Sequence, residues 1–462
     1  MHGVDKSGSL PQHLRRLHQQ RIADVNEVSS EAPSPGKALF ANRSFRLLVT
    51  GSSISMIGDQ FTLVAMPWLV LKLTGDPLAL GTVLATIALP QAAFILFGGA
   101  LVDRFDARQV LLVARSINAL LIGVLCALVA SGAIELWMVY AIALAIGIAT
   151  AFVYPAGSAI LPRMLEPRQL PAANSLLIGL RQFSMFFGPL LAGVLIAKFP
   201  AASSADGAPI ADAHGIALAF GIDALTFLAS IASLLVIRIA PLPGKPPERN
   251  VLHSIAEGLR GVWRDVSLRS YLMYVSLISL FVGGPVQVGL PLLADARLHW
   301  GAASFGTLMS AYGGGVLIGN ALTGSGVIST KGRLGLRLLT IDLVAGLLLA
   351  ALALVQSTLA GAALLLALGI GAGFAQVAMY SWMQARVPPE RMGRTMSVAM
   401  LTFFGVAPLS AAAAGLVLKH ATLTQLFVGA GLTMSAIALA GTQTSSMRSL
   451  RGHEDSARRI AS

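Results

Sequence analysis

Gly99-Ala100-Leu101-Val102-Asp103-Arg104-Phe105-Asp106-Ala107-Arg108 places four charged residues between two long apolar runs, 78–101 and 109–131. A helix needs about 20 apolar residues to cross the hydrocarbon core of a bilayer. The stretch therefore reads as a tight charged turn joining two spans on one side of a membrane. Working outward, apolar runs recur at 46–73, 135–160, 173–197, 214–238, 270–294, 302–325, 336–356, 359–382, 395–418 and 422–441, which makes twelve spans in all. Composition agrees: of 462 residues 55% are hydrophobic and 12% charged, and the mean hydropathy is +0.75. An ordinary soluble domain carries about 25% charged residues. So few charges exclude a soluble enzyme, a disordered scaffold and a secreted domain held by disulfides. Cys126, the single cysteine, can form neither an internal disulfide nor a cysteine metal cluster.

The net charge of +12 invites a nucleic-acid reading, but the placement of the charges argues against it. With both termini cytoplasmic, 28 of the 33 Lys and Arg fall on the cytoplasmic side, four (Lys72, Lys198, Arg297 and Lys419) on the other, and Arg181 lies within a span. Such asymmetry orients membrane helices. The basic excess is a topology signal, and no nucleic-acid partner is expected. Arg115 is read as a cytoplasmic-side residue whose stem lies along apolar surface while its head reaches water. The first 44 residues are polar and show no apolar core with a small-residue cleavage site, so they read as a cytoplasmic tail. Leu10, Leu14 and Leu17 with Arg15, Arg16 and Arg21 would suit a short surface helix; a disordered tail is the alternative.

The organisation expected is an N-terminal tail (1–44), a six-helix half (45–240), a linker (241–269), a second six-helix half (270–442) and a C-terminal tail (443–462). The linker opens with Pro241, Pro243, Gly244, Pro246 and Pro247, and its segment Val251–Arg269 alternates apolar and charged residues at near-helical spacing, as a surface helix does. At an offset of about 219–225 the halves match in order. Gly81-Thr82 falls opposite Gly306-Thr307, Pro67 opposite Pro291, Gly99 opposite Gly324, Ser175 opposite Ser397 and Pro189 opposite Pro408. A parallel six-helix repeat predicts two halves about an axis normal to the membrane, with a site between them near midplane.

The opening stretch also resembles the cytoplasmic signature of the major facilitator superfamily, G-x-L-x-D-R-x-G-R-[RK]. Gly99, Asp103, Arg104 and Arg108 match it, while Asp106 stands for the glycine and Ala107 for the first arginine. Its Asp-Arg-aromatic-acidic form is similar to one branch, the siderophore exporters of the enterobactin type and the macrolide efflux proteins. Further stretches carry that resemblance, among them Ser55-Met56-Ile57-Gly58-Asp59, Tyr154-Pro155-Ala156, Asn174-Ser175-Leu176, Gly258-Leu259-Arg260-Gly261-Val262-Trp263 and Pro388-Pro389-Glu390-Arg391-Met392-Gly393-Arg394. Together they cover roughly residues 40–440. The resemblance implies an all-α fold of twelve transmembrane helices in two six-helix halves, and a gating role for Gly99, Asp103, Arg104 and Arg108. Span five resembles the G-x3-G-P-x2-G-G motif of drug/proton exchangers at Gly188, Pro189 and Gly193, with Ser184 and Ala192 in place of glycines. A Gly-Pro kink that lets helices pack closely explains those residues equally well.

Ionisable residues inside spans are costly, and so mark function. Asp59 lies about 20 Å into span one, near midplane, and Arg181 about 12 Å from the cytoplasmic face of span five. Asp223 and Asp342 each lie a third of the way into spans six and nine. Asp59 is the expected proton site, and Arg181 either modulates it or attracts substrate; a static Asp–Arg pair or a satisfied polar contact is the alternative. Tyr154, Gln182, Gln376 and Tyr380, with Trp382 and Met383, would line a pocket for a large, partly aromatic substrate, unless they simply pack. His214, His299 and His420 lack ligand spacing, so no metal and no cofactor is expected. No nucleophile triad or phosphate loop points to an enzyme. The expected function is export of small amphipathic molecules (drug, siderophore or metabolite) across a bacterial cytoplasmic membrane, in exchange for protons and by alternating access. A facilitator-fold importer or lysophospholipid flippase is the alternative. The repeat would put a complete site in one chain, so a monomer suffices.

Overall fold

The structure is a computed structural model that describes residues 39–199, 213–237, 251–328, 332–387 and 389–448. The surface helix expected around 10–21 and the proline-rich 241–247 lie outside the described residues, as do the side chains of 95–104, among them Gly99, Asp103 and Arg104.

Within a bilayer each backbone N–H and C=O must be satisfied inside its own segment, and every apolar run accordingly forms a helix. The first half holds α1 (Arg43–Thr74), α2 (Pro77–Arg104), α3 (Ala107–Ala130), α4 (Leu136–Ile160), α5 (Leu170–Lys198) and α6 (His214–Val236). After α7 (Val251–Arg264) the second half holds α8 (Val266–Arg297), α9 (Ala302–Gly324), α10 (Leu334–Ala351), α11 (Thr358–Arg386), α12 (Pro389–His420) and α13 (Leu423–Gly441). Among the described residues ten of the twelve long helices are apolar and long enough to span a membrane. Short polar side chains start the helices, as orphan N-terminal amides require. Asn42 accepts from the Phe45 amide at 3.1 Å, and Asp106 from the Arg108 amide at 2.8 Å. Asp265 accepts from the Ser267 and Leu268 amides at 3.0 and 3.1 Å.

The first half packs α1 on α6, α2 on α4, and α3 on α4 and α6; the second packs α9 on α11, α10 on α13 and α8 on α12. The halves meet along two seams, α5 on α9 and α2 on α12. Glycine sets both. A methyl on Gly306 would overlap the Pro189 carbonyl and come within 2.9 Å of the Gly193 Cα; one on Gly415 would come within 2.6 Å of the Pro77 carbonyl and 3.3 Å of the Gly81 Cα. Backbones approach this closely in membranes only where side chains are missing. Gly81 and Gly306 are the repeat pair of the sequence reading, so the two seams are copies of one contact.

The seams lie toward the end of the bundle that is poor in basic residues. There Lys72 and Asp295 join the halves by an ion pair at 2.7 Å, and the Trp68 ring lies 3.5 Å from where a Gly301 side chain would begin. Toward the basic end, Gly179 on α5 and Gly324 on α9 have no described atom within 4 Å of where a Cβ would stand. The α5–α9 seam is thus closed at one end and parted at the other.

Candidate functional site

Three helices bring charge together inside the first half. Arg115 on α3 is 7% exposed; it donates to the Ser55 hydroxyl and lies 5.3 Å from the centre of the Phe227 ring. This corrects the surface reading. α3 packs on α6 at this level, so the guanidinium is enclosed and cannot reach water. Asp223 on α6, 1% exposed, accepts from the hydroxyls of Thr62 and Thr226. A methyl on Gly58 would meet the Asp223 carboxylate at 2.7 Å, so this glycine admits the acid against α1. Asp59, the next residue, lies about midway along α1, and its side chain is exposed. Arg115 and Arg181 both act on it electrostatically. Arg115 acts on Asp223 as well, and the two carboxylates act on each other. Among the described residues the Asp59 side chain has no hydrogen bond or ion pair.

Beside this cluster is a cavity of about 530 Å³, walled chiefly by α8, α10 and α11 of the second half. Ligand pockets are commonly ~300–1,000 Å³. Its polar walls include Tyr274, Asp342, Gln376 and Tyr380. Among the described residues of the first half, Tyr154 and Arg181 reach it, stacked with the guanidinium carbon 5.1 Å from the ring centre. Asp59 does not line the cavity, whereas Arg181 faces both it and Asp59.

Of the residues expected in a pocket, Tyr154, Gln376 and Tyr380 line this cavity. Gln182 does not: it is 7% exposed, and its Nε2 has no partner. Trp382 and Met383 are buried in the core, with Trp382 5.3 Å from the Tyr271 ring. Helical spacing alone could not tell the cavity face from its neighbour. The cavity takes residues from both halves, most of them from the second. The sequence reading gave no role to Asp342, which accepts from the Tyr274 hydroxyl at 2.6 Å. It also missed that Asp223 shares a cluster with Asp59 and Arg115, although the rule that charge inside a span marks function had flagged both acids.

Elsewhere, Arg108 clamps the end of α6, donating to the carbonyls of Leu234 and Leu235 at 2.7 and 2.8 Å. Asp106, the departure from the signature glycine, caps α3 and pairs with Arg163 at 3.2 Å. Gly188 lies against the Gln60 side chain, and Gly193 against the Ala302 carbonyl and Gly306. Pro189, inside a continuous α5, offers the carbonyl on which Gly306 rests.

Curated relatives are distant. Macrolide efflux protein A of Streptococcus pyogenes is 23% identical over 282 residues, covering 61% of this chain and 66% of that protein. The multidrug efflux pump Tap of Mycolicibacterium fortuitum is 27% identical over 241 residues, 50% of this chain and 54% of its own length. The enterobactin exporter EntS of Escherichia coli O1:K1 is 24% identical over 351 residues, 76% of this chain and 79% of its own. The matches thus span just under two thirds of the macrolide protein and about half of Tap. Among solved structures the nucleoside transporter NupG aligns with a TM-score of 0.66 at 14% identity, over 87% of this chain and 98% of its own. A bacterial homologue of the iron transporter ferroportin in an inward-facing state aligns at 0.62 and 18%, over 87% and 99%. These structures share the fold. The profile of the Major Facilitator Superfamily matches residues 48–412, most of the length, and the chain therefore belongs to that superfamily as a multi-pass membrane transporter and not an enzyme.

Proposed function

We propose that this protein exports small amphipathic molecules across a bacterial cytoplasmic membrane, both termini inside, by alternating access in exchange for protons. The observation that carries this reading is the place of Arg181, with Asp59 on one side and the cavity on the other. When Asp59 is ionised, the charge of Arg181 is answered from within the first half and leaves the cavity's field nearly unchanged. When Asp59 takes up a proton, the guanidinium projects its full charge into the cavity, where low dielectric strengthens it. Proton and substrate then bind to alternative states of one site, as antiport requires. The Lys72–Asp295 pair and the glycine seams exist only while the end poor in basic residues is closed, and so favour the arrangement open at the basic end. Gly99, Asp103, Arg104 and Arg108 act at that basic end as the gate. The relatives named as exporters support the direction.

The test is uptake of a candidate drug by everted vesicles with and without an imposed pH gradient. Accumulation driven by acid inside the vesicle means export from the cell. Asp59→Asn should fold normally, as judged by its elution and thermal melt, and lose the gradient dependence. Gradient-driven uptake unchanged in that variant defeats the assignment of the proton site.

A further inference from the structure

Arg115 and Asp342 stand at the same place along repeat-related helices, counting from Ala107 at the start of α3 and from Leu334 at the start of α10. Each reaches across to the first helix of its own half: Arg115 donates to Ser55 on α1, and Asp342 accepts from Tyr274 on α8. Their charges are answered differently. Arg115 has Asp59 and Asp223 within electrostatic reach. Around Asp342 the interacting described residues are Tyr274 and Tyr271, and no described cation acts on it. The Tyr274 hydroxyl donates its proton to Asp342, the arrangement of an acceptor carboxylate.

A carboxylate held in a wall that is mostly apolar, with no cation among the described residues acting on it, is costly unless something else brings the opposite charge. Here the carboxylate faces the cavity, which Tyr271, Tyr274 and Tyr312 line as well, the first two of them within electrostatic reach of Asp342. Aromatic faces attract organic cations, by about 0.5–2 kcal/mol each according to how well the pair is desolvated. We propose that Asp342 and these tyrosines form the binding site for the positively charged group of an amphipathic organic cation whose apolar body fills the rest of the cavity. This rests on reading the cavity as the substrate site. It also gives the antiport a sign: a proton on Asp59 frees the Arg181 charge to repel the bound cation.

The probe is tetraphenylphosphonium, whose charge is independent of pH, measured by equilibrium binding to the purified full chain in detergent. Triphenylphosphine oxide serves as a neutral relative and tetraphenylborate as an anionic one. The wild type should bind the cation at least about tenfold more tightly than either relative. Asp342→Asn should lose that preference while binding of the neutral compound stays within about twofold, and Asp342→Glu should restore it in part. Equal binding of the cation and the neutral compound by the wild type overturns the proposal, and needs no variant to fold. Cation binding unaffected by Asp342→Asn overturns it too. The two readings fail separately. Loss of the cation preference alongside gradient-driven transport of a neutral drug removes this site and leaves the proton reading standing. Cation binding through Asp342 without any dependence of transport on the gradient does the reverse.

Discussion

Gly306→Ala tests whether the seams hold the observed conformation. The added methyl would overlap the Pro189 carbonyl and stand 2.9 Å from the Gly193 Cα. Both are backbone atoms of α5, so no side chain can rotate away, and ordinary carbon contact requires about 3.5 Å or more. Relief comes only if α5 and α9 separate at their closed end. Overpacking a tight contact costs about 1–3 kcal/mol. Placed wholly on one of two conformations, that cost shifts their ratio by about 5- to 150-fold toward the state in which this end is open. Lys198 and His299 are exposed at that end, one on each half, and Cys126 is the only cysteine to remove before labelling. Spin labels at positions 198 and 299 in a Cys126→Ser background read the separation directly. The distance distribution of Gly306→Ala should gain a longer component. An unchanged distribution, even with a lower melting temperature, would falsify the claim that the seam sets the equilibrium.

Arg115→Ala should lower stability by about 1–3 kcal/mol, because it removes a buried charged hydrogen bond to Ser55 and the positive charge that faces the buried Asp223, and Arg115→Lys should recover part of this in thermal melts. A cost below about 1 kcal/mol would restore the surface reading. At the junction of linker and second half, Asp265 receives the Arg386 guanidinium at 2.8 and 3.0 Å. Burial works to raise the Asp265 carboxyl, but the hydrogen bonds and charge of Arg386 and the amides of Leu268 and Ser267 hold it below the usual value. A lowered folded value stabilises above the unfolded one, about 3.9, and the benefit is lost as pH falls through the folded value. Arg386→Ala should therefore melt lower at pH 7, by no more than about 1 kcal/mol since both side chains are partly exposed. The gap should close as the pH is taken from 5 toward 3, and a gap that persists in acid would point to packing and not to the charge.

Hydropathy and the placement of Lys and Arg were enough to derive twelve spans and a two-half plan, because the bilayer imposes length and polarity on each helix separately. The repeat was visible for a similar reason: Gly81 and Gly306 occupy contacts where only glycine fits, and such a demand leaves its mark on the residue itself. The partners of the charged residues left no such mark. Arg115 looks like an anchoring residue until α3 is packed against α6, and Asp223 like an isolated acid until Gly58 lets α1 come beside it. Gln182 and Arg181 are neighbours in sequence, yet only Arg181 turns to the cavity. Which face of a helix meets a partner, and whether an opposite charge waits there, depends on rotations and crossings summed over several helices. Those quantities exist only in the packed bundle, and so Arg115, with two carboxylates in electrostatic reach, could be told from Asp342, with no cation acting on it among the described residues, only there.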